Sequence, residues 1–284
     1  MEPPHQGTIA GEVRLSGIGL HSGRLQKIVL RPAPAGTGIV FRRASADGAA
    51  VPATLDAVTE TTGRVVLGGD GGVQTVEHLL SAAWAAGVDN LDVEVTGNEL
   101  PGMDGSALPF YHALQRAGVR RLDAERPRLR VREPAWAGEG RSWAVALPSP
   151  RLGVACMVTL DRPRGETLAA TFDPALDRYE EVIAPARTWG YERDAESLRR
   201  RGLALGASLE NTLVIGGAGY LNAPRFANEA ARHKILDLLG DLALLGREIE
   251  AHVIAVCASH SVHIALAKAL RAQAGRDHAP RGQG

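Results

Sequence analysis

The segment Arg232-His233-Lys234-Ile235-Leu236-Asp237-Leu238-Leu239-Gly240-Asp241 carries the strongest structural signal in the chain. Apolar side chains recur at the i, i+3, i+4 and i+7 spacing of an amphipathic helix, namely Ile235, Leu238, Leu239 and Leu242. At about 100° per residue, His233, Asp237 and Asp241 share the opposite face. A histidine and an aspartate one turn apart can bind one metal ion, and a second aspartate can orient another group. A solvated polar face is the more common cause of this pattern, so both interpretations stay open for the segment alone.

The composition of the chain sets the class of protein. Its 284 residues suffice for two compact domains or one large one, and 45% hydrophobic with 23% charged residues is ordinary for a globular enzyme. Lys plus Arg equals Asp plus Glu at 32 each, and aromatic residues make up 4%, so we expect no nucleic-acid partner. Neither a signal-peptide pattern nor an apolar run of bilayer length is present. We therefore expect a soluble, cytoplasmic protein without a transmembrane segment.

The first part of the chain begins with predicted strands around a glycine-rich turn at residues 17–23. No helical pattern follows this turn, so it does not meet the requirement of a dinucleotide-binding loop. His21, within the turn, is expected to be a surface residue rather than a ligand.

A predicted helix follows Thr75, a plausible N-cap, and ends at Gly87. Its first turn contains Glu77 and His78, both away from the centre of its apolar stripe. The helix dipole favours a carboxylate there, which is a purely structural explanation for Glu77. In the functional interpretation, His78 is a metal ligand and Glu77 is a base for the attacking water. Because adjacent residues point about 100° apart, the two can flank one site without binding the same atom.

The order of elements suggests two domains. A helix is predicted over 108–117, and the charged, proline-containing segment 123–128 is the best candidate for a linker. We therefore divide the chain into an N-terminal α+β domain at 1–124, a C-terminal α+β domain at 125–274 and a disordered tail at 275–284. Both parts begin with strands and each carries a histidine on a helix, which hints at duplication.

The second part of the sequence also contains patterns of helices and strands near polar residues. A charged helix is expected over 193–201, and a strongly apolar strand over 251–258 precedes a last helix at 262–272. His260 lies where this strand gives way to the helix. Catalytic groups often occupy such strand ends, because rigid elements position them while the tip stays open.

Six motifs, in order and over about residues 8–272, resemble those of the UDP-3-O-acyl-N-acetylglucosamine deacetylase family, the zinc amidases of lipid A biosynthesis in Gram-negative bacteria. The motifs are Gly19-Leu20-His21-Ser22-Gly23, Thr75-Val76-Glu77-His78-Leu79, Met103-Asp104-Gly105-Ser106-Ala107, Ala186-Arg187-Thr188, the segment from Arg232 to Asp241, and Ser259-His260. The resemblance implies an α+β fold of two similar sheet-plus-helices domains, packed against each other with the active site between them.

The resemblance also implies a role for each site residue. His78, His233 and Asp237 match the zinc ligands. Glu77 matches the general base, His260 the general acid, Asp241 the carboxylate that orients it, Thr188 the hydroxyl beside the oxyanion, and Lys234 a lysine that contacts substrate. Three protein ligands leave a fourth position open, as a catalytic zinc site requires, although a His, His, Asp set could also hold iron.

The predicted function is zinc-dependent hydrolysis of the acetamide of a UDP-linked, 3-O-acylated N-acetylglucosamine, releasing acetate and the free amine. Trp189, Glu192, Ser197 and the segment 160–166 depart from the family pattern in the region that shapes the acyl-chain passage, and a carboxylate there costs free energy unless it is solvated or paired. A divergent paralogue that deacetylates another N-acetyl sugar is therefore the alternative. A non-catalytic binding protein is a further alternative, although it would need no acid, base and oxyanion donor together.

Overall fold

The computed structural model describes residues 4–44, 49–69, 71–161 and 165–276. Its strands are β1 (His5–Ile9), β2 (Val13–Ile18), β3 (Leu25–Pro32), β4 (Ile39–Arg43), β5 (Val51–Pro52), β6 (Val58–Glu60), β7 (Val66–Leu67), β8 (Val73–Gln74), β9 (Leu91–Val95), β10 (Val119–Glu125), β11 (Arg128–Arg130), β12 (Ala135–Glu139), β13 (Ser142–Pro148), β14 (Gly153–Thr159), β15 (Thr167–Phe172), β16 (Trp189–Tyr191), β17 (Leu213–Ile215) and β18 (Glu248–Val256). Its helices are α1 (Glu77–Ala86), α2 (Leu108–Ala117), α3 (Tyr179–Val182), α4 (Ala195–Arg200), α5 (Glu229–Ala243) and α6 (His260–Arg276).

Two main sheets share one topology. The first has the order β2-β3-β9-β4-β5 and the second β12-β13-β18-β14-β15, with β11 added beside β18. In each sheet the third and fourth strands of this order are parallel and the other strands of the order pair antiparallel, while the added β11 is parallel to β18. A helix precedes and another follows the parallel third strand in both cases, α1 and α2 around β9, α5 and α6 around β18. This repetition confirms the predicted α+β class of two similar sheet-plus-helices units.

Helices α1 and α5 pack against each other, and Gly240 makes their close approach possible. A side chain at this position would collide with the backbone carbonyl of Glu77. The consequence for α5 is burial on nearly every side, so His233, Asp237 and Asp241 have exposed fractions of only 3%, 3% and 0%. The interpretation of this polar face as solvated is therefore wrong, because the exposed fraction of these three side chains is at most 3%.

Several local predictions are confirmed and others need correction. Helix α2 has the predicted bounds, and α1 ends at Gly87, whose φ of 72° suits a glycine. Thr75 is not the N-cap of α1: Val76 occupies that position, and Thr75 itself has a φ of 60°, which is rare for a β-branched residue. The charged helix predicted over 193–201 is shorter, consisting of α4 after a 3₁₀ turn at Glu192–Asp194.

The C-terminal part also differs from prediction in its bounds. Strand β18 covers Glu248–Val256, and α6 already begins at His260 and continues to Arg276, into the first residues of the predicted disordered tail. Residues 277–284 of that tail and 162–164 of the departing segment lie outside the described residues. None of the described helices is long and apolar enough to cross a membrane.

The predicted linker consists mostly of strand residues. Its first part belongs to β10, which pairs with β1, and its last residue begins β11. Strand pairing therefore continues to residue 125, with a shift of register between the His5–Glu125 and Gly7–Arg121 pairs, and the exact division of the chain into domains stays a prediction.

Candidate active site

A cavity of about 370 Å³ lies between the two halves of the chain. Its wall contains seven of the eight residues singled out from the sequence, which are Glu77, His78, Thr188, His233, Lys234, Asp237 and His260. The eighth, Asp241, does not line the cavity and contacts Nδ1 of His260. Residues from α1, α5 and the start of α6 thus meet at one place, although they are up to 183 positions apart in the sequence.

His78, His233 and Asp237, which we call the metal triad, direct three donor atoms to one point. Asp237 Oδ1 lies 3.3 Å from His233 Nε2 and 4.0 Å from His78 Nε2, and the three ligand atoms all lie within 4.8 Å of one another. Donors of a tetrahedral zinc ion lie roughly 3.3–3.5 Å apart. The His233–Asp237 separation has this value, and the His78–Asp237 separation of 4.0 Å is slightly longer.

The protonation of the metal triad also suits a cation. Ala186 accepts a hydrogen bond of 3.0 Å at its carbonyl oxygen from His233 Nδ1, so the lone pair of His233 is on Nε2, which faces Asp237. Burial and the adjacent His233 lower the pKa of His78 to about 3, so this imidazole is neutral. Burial would raise the pKa of Asp237, but attraction to His233 and Lys234 holds it well below its ordinary value. The neutral His78 imidazole, Nε2 of His233 and the Asp237 carboxylate are therefore available as ligands.

A buried ion pair holds the backbone that supplies the Ala186 carbonyl. Glu229, the first residue of α5, accepts hydrogen bonds from the backbone N and the Nε of Arg187, both at 2.9 Å. The side chains of Glu229 and Arg187 are 0% and 6% exposed. The pair therefore fixes the segment 186–188 to the start of the helix that carries His233, and it brings Thr188 to the cavity.

Glu77 and His260 are buried groups with opposite pKa shifts. Burial raises the pKa of Glu77 to about 7, against the opposing attraction of His260. Burial acts to lower the pKa of His260, but the carboxylates of Asp241 and Asp237 outweigh it and raise this pKa to about 9. Near neutral pH the pair therefore offers a carboxyl group that can accept a proton and an imidazolium that can give one.

Asp241 holds His260 in one orientation. Its Oδ2 accepts a 2.8 Å hydrogen bond from His260 Nδ1, which leaves His260 Nε2 toward the cavity, 3.9 Å from Asp237 Oδ2. Lys234 donates a 2.9 Å hydrogen bond from Nζ to the same Asp237 oxygen. Thr188 is half-buried in the wall, where its backbone N donates to the carbonyl of Gly105.

Several neighbours of the candidate site were not recognised from the sequence. His21 is not a surface residue: it is 9% exposed, lies in the cavity wall, and burial lowers its pKa to about 4. Its turn is held by Glu99, which accepts hydrogen bonds from the backbone N of His21 at 2.7 Å and of Ser22 at 2.8 Å. The only signal that could have identified His21 was its position in a glycine-rich motif, together with a distant glutamate that is buried in the structure. His263, which also contacts Asp241, carried no signal in the sequence.

A carboxylate and two imidazoles that could hold a metal ion, beside an acid and a base of shifted pKa, are features of metal-dependent hydrolases as a class. The sequence model of the family described as UDP-3-O-acyl N-acetylglycosamine deacetylase matches residues 6–272. This chain belongs to that family.

Individual relatives agree with the family match. The UDP-3-O-acyl-N-acetylglucosamine deacetylase of Leptospira biflexa is 40% identical over 276 residues, covering 95% of this chain and 90% of the relative. The protein of the same name from Thermosynechococcus vestitus is 42% identical over 271 residues, covering 94% of each chain. That of Pseudomonas entomophila is 39% identical over 274 residues, covering 94% of this chain and 90% of the relative. The family predicted from the motifs is confirmed, and with it the class of enzyme, a hydrolase of the deacetylase type.

Proposed function

We propose that this chain hydrolyses the acetamide of UDP-3-O-acyl-N-acetylglucosamine, with zinc as its cofactor, and releases acetate and the free amine in lipid A biosynthesis. The observation that carries the proposal is the convergence of the metal triad, Glu77 and the His260–Asp241 pair on one cavity in a chain of this family. The cysteines, Cys156 and Cys257, are free thiols, which supports a reducing location such as the cytoplasm.

The metal triad would hold the zinc ion, which supplies Lewis acidity that polarises the amide carbonyl and acidifies water. Glu77, with a pKa near neutrality, takes a proton from the water whose oxygen attacks the carbonyl carbon. His260 gives its proton to the amine nitrogen as the C–N bond breaks, and the electron pair of that bond stays on nitrogen. Asp241 keeps the His260 ring in the orientation that this transfer requires. Thr188 lies in the cavity wall, and its hydroxyl donates a hydrogen bond to the carbonyl oxygen as negative charge develops there.

Lys234 is proposed to contact the substrate. It lies at the cavity wall, and its side chain is 21% exposed while it pairs with Asp237. The phosphates of a UDP-sugar are anionic, so an ammonium group in the cavity wall favours their binding.

The surface beside the cavity favours an acylated substrate. Ile18 and Leu205 are large apolar residues that are 46% and 50% exposed. The segment 204–206 hydrogen-bonds to the turn at residues 20–21, so both side chains lie close to the turn that supplies Leu20 and His21 to the cavity wall. Glu192 and Ser197, which caused doubt about the acyl passage, are exposed, so the carboxylate is solvated. An alkyl chain that covered Ile18 and Leu205 would be stabilised by burial of apolar area.

The test is amine release from UDP-3-O-acyl-N-acetylglucosamines of increasing chain length, measured beside unacylated UDP-N-acetylglucosamine. Each methylene that becomes well buried contributes about 0.8 kcal/mol, so kcat/KM is expected to rise up to roughly fourfold per methylene. A flat dependence on chain length would favour the paralogue that acts on another N-acetyl sugar. The metal-loaded enzyme releasing no amine from any of these substrates would reject the proposed function.

A further inference from the structure

A second buried histidine, His263, contacts the carboxylate that holds His260. Because α6 begins at His260, the two residues are three positions apart and lie on the same face of the helix. Nδ1 of His260 and Nδ1 of His263 both lie 2.8 Å from Oδ2 of Asp241. His263 has an exposed fraction of 0%, and it does not line the cavity. The ring therefore does not touch a substrate, and its contact with the site runs through Asp241.

Both imidazoles act as donors in these contacts, because an ionised carboxylate can only accept. The two rings lie 6.0 Å apart between centroids with an angle of 80° between their planes, so they approach the oxygen from different directions. Oδ1 of Asp241 has no hydrogen-bond partner among the described residues. A carboxylate held by one donor at one oxygen can turn about its Cβ–Cγ bond, whereas two donors from different directions restrict that rotation.

The other nitrogen of His263 shows that packing alone does not explain this residue. Nε2 of His263 is buried, and no described residue hydrogen-bonds to it. A buried polar atom without a partner costs free energy, so an apolar side chain would suit the surroundings better. The bond from Nδ1 to Asp241 is the only described polar contact of the ring that offsets this cost.

We propose that His263 is a positioning residue, which holds the Asp241 carboxylate so that Asp241 in turn directs His260 Nε2 into the cavity. This inference rests on the proposed hydrolytic function, in which His260 protonates the leaving amine. His263 is not part of any motif that identified the family, so the inference adds a residue to the site.

The matched variants His263→Asn and His263→Leu test the proposal. Asparagine keeps an N–H donor close to the position of Nδ1, whereas leucine has nearly the same size and no donor. We expect His263→Leu to lower kcat by roughly 10- to 100-fold, the usual effect of losing such a supporting contact, with KM and bound metal unchanged. His263→Asn is expected to restore most of the lost kcat. Ile264→Val, at the adjacent buried position, controls for lost packing and should keep the wild-type kcat.

A wild-type kcat in His263→Leu would overturn the proposal, and so would equal losses in the leucine and asparagine variants. Proton NMR of the ¹⁵N-labelled wild-type protein gives a readout that needs no turnover and no variant. Besides the Nδ1–H of His233, which donates to the Ala186 carbonyl, two hydrogen-bonded imidazole Nδ1–H resonances are expected for the rings on Asp241. These two are assigned to His260 and His263 by a through-space contact with each other, and detection of only one of them would overturn the proposal even if His263→Leu does not fold. Absence of deacetylation by the wild type would instead reject the proposed function, while the NMR result would still decide whether both rings hold Asp241.

Discussion

Glu229→Gln removes one negative charge from the protein interior and should destabilise the fold strongly. Glu229 accepts hydrogen bonds from three nitrogens of Arg187, at 2.9, 2.9 and 3.2 Å, and one of 2.6 Å from the backbone N of Arg225. Glutamine has nearly the same shape, but its NH₂ group would face donors where an oxygen now accepts. The substitution therefore isolates the charge and the hydrogen bonds from any change of volume.

The size of the effect follows from burial. Removing one partner of a buried ion pair costs about 3–5 kcal/mol, because the other charge stays buried and unpaired. Arg187 also donates to the carbonyl of Ala223 at 2.8 Å, and that contact remains in the variant. We therefore expect the free energy of unfolding to fall by about 3 kcal/mol, at the lower end of this range.

The pair also makes the stability depend on pH. Burial would raise the pKa of Glu229, but hydrogen bonds from the Arg187 side chain and from the backbone of Arg187 and Arg225 lower it below its ordinary value. A carboxyl group with a lowered pKa in the folded state contributes its full stabilisation above the unfolded value of about 4.3. That contribution is lost as the pH falls through the folded pKa. The difference between wild type and Glu229→Gln should therefore shrink in this acid range.

Urea unfolding at pH 7 and at acid pH would measure both effects. Glu196→Gln is the matched control, because its i,i+4 pair with Arg200 is 80% and 73% exposed and should contribute no more than about 0.5 kcal/mol. Arg187→Met, alone and combined with Glu229→Gln, completes a double-mutant cycle for the coupling energy. Equal losses in Glu229→Gln and Glu196→Gln would refute the assignment of Glu229 as a buried anchor.

Two further predictions concern the site itself. The purified protein should bind about one zinc ion per chain by elemental analysis, and His233→Ala should retain far less, whereas Glu77→Gln should keep the metal and lose roughly 10²- to 10⁴-fold in kcat. Full metal occupancy in His233→Ala would contradict its role as a ligand. Because Asp241 helps to raise the pKa of His260 to about 9, kcat/KM should fall as the pH rises through the alkaline range, where His260 loses its proton. Asp241→Asn should move this alkaline limb to lower pH with the metal retained, and an unchanged limb would argue against His260 as the acid.

The local signals in the sequence were sufficient for much of the fold. The bounds of α2 and the end of α1 at Gly87 follow from apolar periodicity and from helix-stop residues, which act over a few neighbouring positions. The order of strands and helices in each half hinted at duplication, and the family resemblance implied two similar α+β units, which the common topology of the two main sheets confirms. The motif residues meet at one cavity, although their catalytic roles stay predictions.

Bounds were less predictable where a tertiary contact competes with local preference. Thr75 has the side chain of an N-cap, but its backbone is in a left-handed conformation. Its backbone N donates to the carbonyl of Val65, and its hydroxyl lies 3.5 Å from Glu99, so the helix begins later. The charged linker candidate became strand because β1 lies alongside it to accept and donate the ladder hydrogen bonds. None of these three partners, Val65, Glu99 and β1, is a sequence neighbour of the segment it contacts, so none could be predicted from the local pattern.

The sequence by itself determined that His233, Asp237 and Asp241 share one face of a helix, because helical periodicity is a property of the backbone alone. Only the tertiary structure decided that this face is buried, since that depends on α1 crossing at Gly240. The same holds for the Ala186 carbonyl that sets the tautomer of His233, and for His263, which reaches Asp241 through the packing of α6 on α5. Periodicity states which side chains point the same way, but water, a metal ion or another helix can lie opposite them, and long-range packing selects among these.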